Sequence, residues 1–453
     1  MHIRLIQPPL VQPLWRQLTL PVVGAEFKAQ GFDVTVCDEN IEPLDESLVD
    51  AVGITCHVYN APRAFEIAGL FRGKGVPVII GGTFPTVAPD WVEPHADAIV
   101  MGELEGQTEQ IAHDLRKGKL ASCYRATGEA NLEKTLQPDF SLLQNEKYFK
   151  FTFPLETSRG CRFNCKFCTT KTLYGKSRTR SLADIERDLR NYDHGLIEII
   201  DVNFLNDCEH FLDVLPLLKA SSAPGWTGQT TINDLACHPK IPQLFSQSGC
   251  RSLFVGLESN SIEGLKSVSK SWSDPKALKE LVRQFHDEGI LVQAGVIVGL
   301  ETDNEKSFDE LLEFLNEAGV HAASLTYLHY YPGTKAYSEA KEKGRLVTEK
   351  LDELDGDHPA IKPAKMTTEE LQDQVCCFTR SLYSLGAIFD RTRKAKLLRY
   401  PTQLLHHLLV NLSLRDYYRT LITRPAGARN KADPRAKFFT DMAASFLRFL
   451  WSY

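Results

Sequence analysis

Three cysteines lie within eight residues in the run Cys161-Arg-Phe-Asn-Cys165-Lys-Phe-Cys168, which follows an apolar segment at 151–155 and the turn Ser158-Arg159-Gly160. No other feature restricts the chain as much. Thiols at this C-x3-C-x2-C spacing share one loop and can wrap one face of a cubane [4Fe–4S] cluster. Cys161, Cys165 and Cys168 would ligate three irons and leave the fourth open. An open iron can chelate the amino and carboxylate groups of S-adenosylmethionine (SAM) and pass an electron to its sulfonium, breaking a C–S bond to release a 5′-deoxyadenosyl radical.

A structural zinc site needs four ligands, normally in two pairs, and no second pair or C…H-x3-H follows at a suitable distance. A disulfide framework does not fit eleven cysteines scattered through 453 residues. The eight outside the run, at 37, 56, 123, 208, 237, 250, 376 and 377, show no ligand spacing and read mostly as small buried hydrophobes. Phe167, just before the last cysteine, completes the form C-x3-C-x-aromatic-C. The segment closely resembles the cluster loop of the radical SAM superfamily, and the resemblance puts Phe167 among the SAM-binding residues.

A chain of this length with 43% hydrophobic residues can form two or three domains with ordinary cores. No stretch approaches the roughly 20 uninterrupted apolar residues of a membrane span. The start, Met1-His-Ile-Arg-Leu-Ile-Gln-Pro-Pro, reads as a strand entering a loop, not as a targeting peptide. Free thiols and an oxygen-sensitive cluster point to a reducing cytoplasm.

Residues 1–120 alternate short β-rich runs (3–7, 33–38, 51–56, 76–80 and 98–101) with helical patterns such as 61–74, the signature of a doubly wound α/β domain. Ligands of such sheets bind at the carboxyl ends of the strands. Those ends carry Thr55, Gly81-Gly82-Thr83 and Gly102-Glu103, small or polar residues that let backbone approach a large flat ligand. Their order ahead of the cysteines resembles the cobalamin-binding domain of B12-dependent radical SAM proteins. The resemblance makes Thr55, Gly81, Gly82, Thr83, Gly102 and Glu103 cobalamin contacts. The D-x-H-x-x-G segment that supplies a cobalt-ligating histidine in many B12 domains is absent, so the lower axial position would be empty, held by water, or filled by a group such as His57. The competing readings are a Rossmann-like domain without ligand and a nicotinamide site, which lacks its G-x-G-x-x-G after strand one.

Residues 121–150 read as a connector. From 151 to 345 the alternation resumes, with strands expected near 197–202, 226–230, 252–256, 291–298 and 322–327 after the one that precedes the cysteines. Six βα units would make the partial (β/α)6 barrel of the radical SAM superfamily, with its site at the carboxyl rim. By the same resemblance Asp201 and Asn203 lie near the SAM amino group, Glu258 and Ser259 near the ribose and Gly299 near adenine. Glu301 stands one residue earlier than the usual acid of that last segment. A carboxylate at a strand end can equally cap the next helix, and Tyr330-Tyr331-Pro332-Gly333-Thr334, also a family turn, can be a simple Pro-Gly turn.

Residues 346–453 read as a mainly helical, basic region, opened by a capping box from Thr367 to Glu370. From residue 378 onward 10 Arg and 4 Lys stand against 4 Asp and no Glu, in a chain whose net charge is −6. This asymmetry suits an anionic partner: a substrate, a membrane surface or the chain's own acidic part. Residues 438–451 are aromatic and amphipathic, compatible with an interfacial membrane helix or with packing on the barrel. Nucleic acid is not an expected partner, because no recognisable module accompanies the charge.

The resemblance as a whole implies a cobalamin-dependent radical SAM enzyme holding a [4Fe–4S] cluster, SAM and cobalamin, reduced by an external flavodoxin- or ferredoxin-like donor. Its commonest chemistry is methyl transfer to an unactivated carbon of a small-molecule or lipid substrate. The alternatives are a rearranging or oxidising enzyme with the same cofactors and a non-catalytic scaffold carrying a cluster.

Overall fold

Short runs buried on both faces, as a parallel sheet between helices requires, build the N-terminal unit. A computed structural model describes residues 1–10, 16–126, 128–148, 150–395 and 397–421. In it β1 (His2–Gln7), β2 (Asp33–Asp38), β3 (Ala51–Thr55), β4 (Val78–Gly81), β5 (Ala98–Met101) and β6 (Cys123–Arg125) pair in parallel in the order β2-β1-β3-β4-β5-β6. The helices Thr19–Ala29 and Thr108–Arg116 set Phe27 and Ile111 against Ile3, Ile79 and Val100 on one face. The helix Ala61–Gly73 sets Ile67 and Phe71 against Val52, Val78 and Ile80 on the other. Strand order reverses at β1, which lies between β2 and β3, and such a switch point opens a crevice at the strands' carboxyl ends. β6 falls in the stretch read as a connector, and three residues are too few to show an alternation.

β7 (Thr152–Leu155) leads into an antiparallel pair, β8 (Ser158–Arg159) and β9 (Arg178–Thr179), that closes the base of the cysteine loop. With β10 (Leu196–Ile199), β11 (Trp226–Thr231), β12 (Cys250–Glu258), β13 (Leu291–Val298) and β14 (Ala322–Tyr327), β7 forms a second parallel sheet in sequential order. Six βα units are therefore present, and β7 and β14 are the sheet's two edges, as in an open barrel. Phe204, Phe211, Trp226 and Phe245 interlock at its core, Phe204 meeting Trp226 edge-on at 5.8 Å.

The expected capping box is made, Thr367 receiving the Glu370 amide and opening the helix Thr368–Leu382, which is followed by Leu385–Lys394 and Pro401–Leu421. These helices cover the edge of β14. The amides of Ala323 and Leu325 donate to the hydroxyls of Tyr383 and Tyr418 at 3.1 and 2.8 Å, so donors an edge strand would leave unpaired are satisfied. Among the described residues no helix is long and apolar enough to cross a membrane. The amphipathic stretch 438–451 lies outside them.

One expectation is corrected. Cys208 and Cys237 form a disulfide across 29 residues of sequence, instead of standing as free thiols. Consecutive parallel βα units put the loops after β10 and β11 side by side on the same rim, a proximity that sequence spacing does not reveal.

Candidate active site

The cysteine loop runs from β8 to the short helix Thr170–Tyr174. Gly160 begins it at φ 85°, where a Cβ would stand 2.4 Å from the Lys176 carbonyl oxygen. Only glycine lets the loop pass the backbone of Lys176 and Ser177, just before β9, this closely. The Lys166 amide donates to the Val268 carbonyl at 2.9 Å and the Cys168 amide to the Cys165 carbonyl at 3.1 Å. Cys168 is exposed, and Cys161 and Cys165 are half-buried. Burial raises the pKa of both half-buried thiols, that of Cys165 to about 12, with the Lys270 ammonium opposing the rise at Cys165. Among the described residues no three ligand side chains converge on a single metal ion. A cubane takes each thiolate on a different iron, which spreads its ligands further apart, and three free thiols on one loop fit it. Phe167 packs beside Leu300, Leu328 and Tyr330 at the carboxyl rim.

Around the loop the rim residues form two networks. Asp201 accepts from the Thr157 amide at 2.7 Å and from the Thr157 and Ser158 hydroxyls, both at 2.6 Å. Burial raises its pKa to about 7 against these donors. Both its oxygens therefore hold the strand entering the cysteine loop. Asn203 accepts from the Thr230 hydroxyl and donates to Asp234, each at 2.7 Å, and Asp234 also pairs with Arg162 of the loop. On the opposite side Glu258, at φ 61°, takes the ammonium of buried Lys270 at 2.7 Å, and Ser259 accepts from the Ser261 amide at 3.1 Å. Glu258 and Ser259 border a cavity of about 110 Å³ that reaches Thr302 and Asp303. Gly299, at φ 84°, donates to Asp303 at 2.9 Å. Glu301 instead pairs with Arg345.

Lys270 and Asp303 escape sequence reading. Lys270 comes 12 residues after its partner, following a helix and a turn, and nothing in that spacing announces a pair. Asp303 is the acid that turns back to Gly299, while Glu301 drew attention only by its offset.

A cavity of about 280 Å³ opens between the two sheets, and Thr55, Gly81, Gly82, Thr83, Gly102 and Glu103 all line it. It continues as an apolar slot past Ile3, Leu5, Gly53, Ile79 and Val100, and its far wall is Leu173, Tyr174 and Ile200 beside the cysteine loop. Gly82 adopts φ 113°, and a Cβ there would lie 2.9 Å from the Cys56 carbonyl oxygen. A flat ring resting on this edge meets backbone without obstruction, and the slot offers room for an apolar appendage. These features fit a corrin whose nucleotide tail places its flat aromatic base in the slot. The Glu103 carboxylate is already engaged: Arg159 and Arg178 each hold it at 2.9 Å and the Ala130 amide donates to it at 3.1 Å. His57 lines the cavity and caps the short turn Val58–Asn60. Burial holds its pKa down to about 4, so the imidazole is neutral at pH 7.

Residues 155–315 match the profile of the Radical SAM superfamily, and residues 11–112 that of the B12 binding domain. Bacteriochlorophyllide d C-12(1)-methyltransferase of Chlorobaculum tepidum is 29% identical over 383 residues, covering 82% of this chain and 83% of that protein. Hopanoid C-2 methylase of Rhodopseudomonas palustris is 27% identical over 345 residues, covering 72% of this chain and 64% of that protein. Among solved structures, the radical S-adenosylmethionine methyltransferase TsrM from Kitasatospora setae, with cobalamin and a [4Fe-4S] cluster bound, superposes with a TM-score of 0.65. At 17% identity it covers 76% of this chain and 78% of its own, a likeness of fold.

Proposed function

We propose that this chain, which belongs to the cobalamin-dependent radical SAM enzymes, methylates an unactivated carbon of a large, apolar, polycyclic substrate. When bound, the cluster with SAM supplies a hydrogen-abstracting 5′-deoxyadenosyl radical and cobalamin supplies the methyl group. The chain's own part is positioning.

Cys161, Cys165 and Cys168 would hold the cluster. Glu258 and Ser259 would receive the ribose, and the Lys270 ammonium would face the SAM carboxylate. Gly81, Gly82, Thr83 and Gly102 would carry the corrin, with Thr55 beside it. Asp201 and Asn203 act one step back: Asp201 fixes the strand entering the cysteine loop, and Asn203 orients Asp234 and through it Arg162.

One observation carries the reading. The carboxyl edge of the N-terminal sheet and the residues flanking the cysteine loop wall the same cavity, so groups held on either side face a common space.

The substrate class rests on the relatives, whose names specify a bacteriochlorophyllide and a hopanoid, both large and polycyclic. The barrel side offers such a molecule apolar surface, with Ile200 and Val202 each 37% exposed. We place the enzyme in the cytoplasm, meeting its substrate at a membrane surface through the basic region from residue 378 onward. Anaerobic turnover with SAM, a reductant and either a chlorophyllide or a polycyclic lipid tests the reading. Methylation predicts S-adenosylhomocysteine and 5′-deoxyadenosine together. 5′-Deoxyadenosine alone would show rearrangement or oxidation, and neither product would show a scaffold.

A further inference from the structure

The charged side chains lining the large cavity are Glu103, Glu105, Glu156 and Arg159, three carboxylates to one guanidinium. They form a single cluster. Arg159 donates through Nη1 to Glu103 at 2.9 Å, through Nη2 to Glu105 at 2.7 Å, and through Nε and Nη2 to Glu156 at 2.8 and 3.0 Å. One more cation joins from outside the lining: Arg178 holds Glu103 at 2.9 Å and is itself shared with Glu129 at 3.8 Å. Three acids thus face two arginines even before Glu129 is counted, and the cluster keeps a net negative charge.

The three acids differ in what remains open on them. Glu103 is filled by both arginines and the Ala130 amide, with 5% of its side chain exposed. Glu105 and Glu156 keep 16% and 14% exposed. A carboxylate has about four lone-pair sites, so the bonds from Arg159 leave acceptor capacity on both. Burial acts against the charge of Glu105, but Arg159 prevails and holds its pKa below the usual value, so it is ionised at neutral pH. An ionised carboxylate accepts hydrogen bonds and donates none.

We propose that Glu105 and Glu156 receive carboxamide N–H groups on the rim of the corrin, and that this wall admits the fully amidated cofactor while rejecting corrinoids that carry a free carboxylate. The inference rests on the corrin reading of the cavity and deepens it. Cobalamin carries acetamide and propionamide arms around its ring, and each terminal NH2 offers two donors. Acceptors already pinned by Arg159 meet such donors without rearrangement, in hydrogen bonds strengthened by their charge. Hydrolysis of one arm replaces those donors with acceptor oxygens and adds a negative charge. A wall of net negative charge in a water-poor cavity then meets it with repulsion and an unpaired acceptor.

Equilibrium dialysis of the full-length, cluster-reconstituted protein compares cobalamin with its mono-acid derivatives, each with one propionamide hydrolysed and the ring and tail intact. The wild type should bind at least one mono-acid about tenfold more weakly than cobalamin. Glu105→Gln and Glu156→Gln, made separately, each remove one negative charge and keep the side chain's shape. In at least one of them the preference should fall below about threefold. A merely structural role would weaken cobalamin and mono-acid alike and leave their ratio unchanged, and iron content checks that each variant is folded. The proposal is overturned if the wild type binds every mono-acid as tightly as cobalamin, or if the ratio is the same in both variants as in the wild type. A wild type that binds neither cobalamin nor any derivative would show that the corrin reading itself has failed.

Discussion

Arg159 donates to Glu103 at 2.9 Å, tying the residue two positions before the first cluster cysteine to the loop that follows β5 of the N-terminal sheet. The same guanidinium holds Glu105 at 2.7 Å and Glu156 at 2.8 Å. With side-chain exposures of 9% for Arg159 and 5% for Glu103, the pair lies where a lost partner strands a charge. Arg159→Ala should therefore cost about 3–5 kcal/mol, with Arg159→Lys intermediate because it cannot reach three carboxylates in one plane. Denaturant unfolding measures the loss. Cobalamin affinity should fall alongside it in equilibrium dialysis, because the arginine sets how the two walls of the cavity meet.

Gly82 tests the cavity without touching the cluster. A side chain there needs the strained left-handed backbone and meets the Cys56 carbonyl. Gly82→Val should lower cobalamin binding by an order of magnitude or more, through about 1–3 kcal/mol of backbone strain and the lost approach. Iron content should stay at the wild-type level. Equal loss of both would mean that the substitution unfolds the chain.

The helix Pro401–Leu421 should respond to acid. His407 is fully buried and His321 nearly so, their rings 6.0 Å apart, with His406 6.1 Å from His321. Burial lowers His406 and His407 to about 4 and His321 below its usual value. An unfolded chain takes up these protons near pH 6.5 while the folded one refuses them until about pH 4. Stability is therefore lost as pH falls through that window, by up to roughly 3 kcal/mol for His407. Asp201, raised by burial, acts in the opposite direction. The effect is thus read as a difference: His407→Gln should flatten the fall in urea midpoint between pH 7 and pH 5.

Tyr418→Phe removes the acceptor of the Leu325 amide on the edge strand β14. The orphaned buried donor should cost about 1–3 kcal/mol, measurable by thermal unfolding, and amide exchange at Leu325 should quicken.

How far the sequence reveals this molecule follows from the reach of each signal. The strands 33–38, 98–101, 291–298 and 322–327 are read to the residue: 98–101 and 291–298 are mainly apolar runs ended by Gly102 and Gly299, and 33–38 follows Gly31 with Val34 and Val36 alternating with polar residues. The cysteine loop and the glycines at strand ends are local motifs, and local motifs survive without coordinates. What escapes is pairing across units. Glu103 reads as a ligand contact because it ends a strand, yet Arg159 and Arg178 claim it from 56 and 75 residues away. Asp201 reads as a rim acid, yet the hydroxyls of Thr157 and Ser158 enclose it. Lys270 and the Cys208–Cys237 disulfide depend on which loops the fold sets side by side, and no spacing encodes that.

Metal analysis of anaerobically reconstituted protein and two variants tests the central claim, that one chain holds a cluster and a corrin on opposite walls of one cavity. The wild type should carry about four irons and one cobalt per chain. Cys165→Ala should lose the cluster and keep the cobalt, and Gly82→Val should lose cobalt and keep the iron. A folded wild type that takes up neither metal, or a folded Cys165→Ala protein that retains a full cluster, would contradict the account.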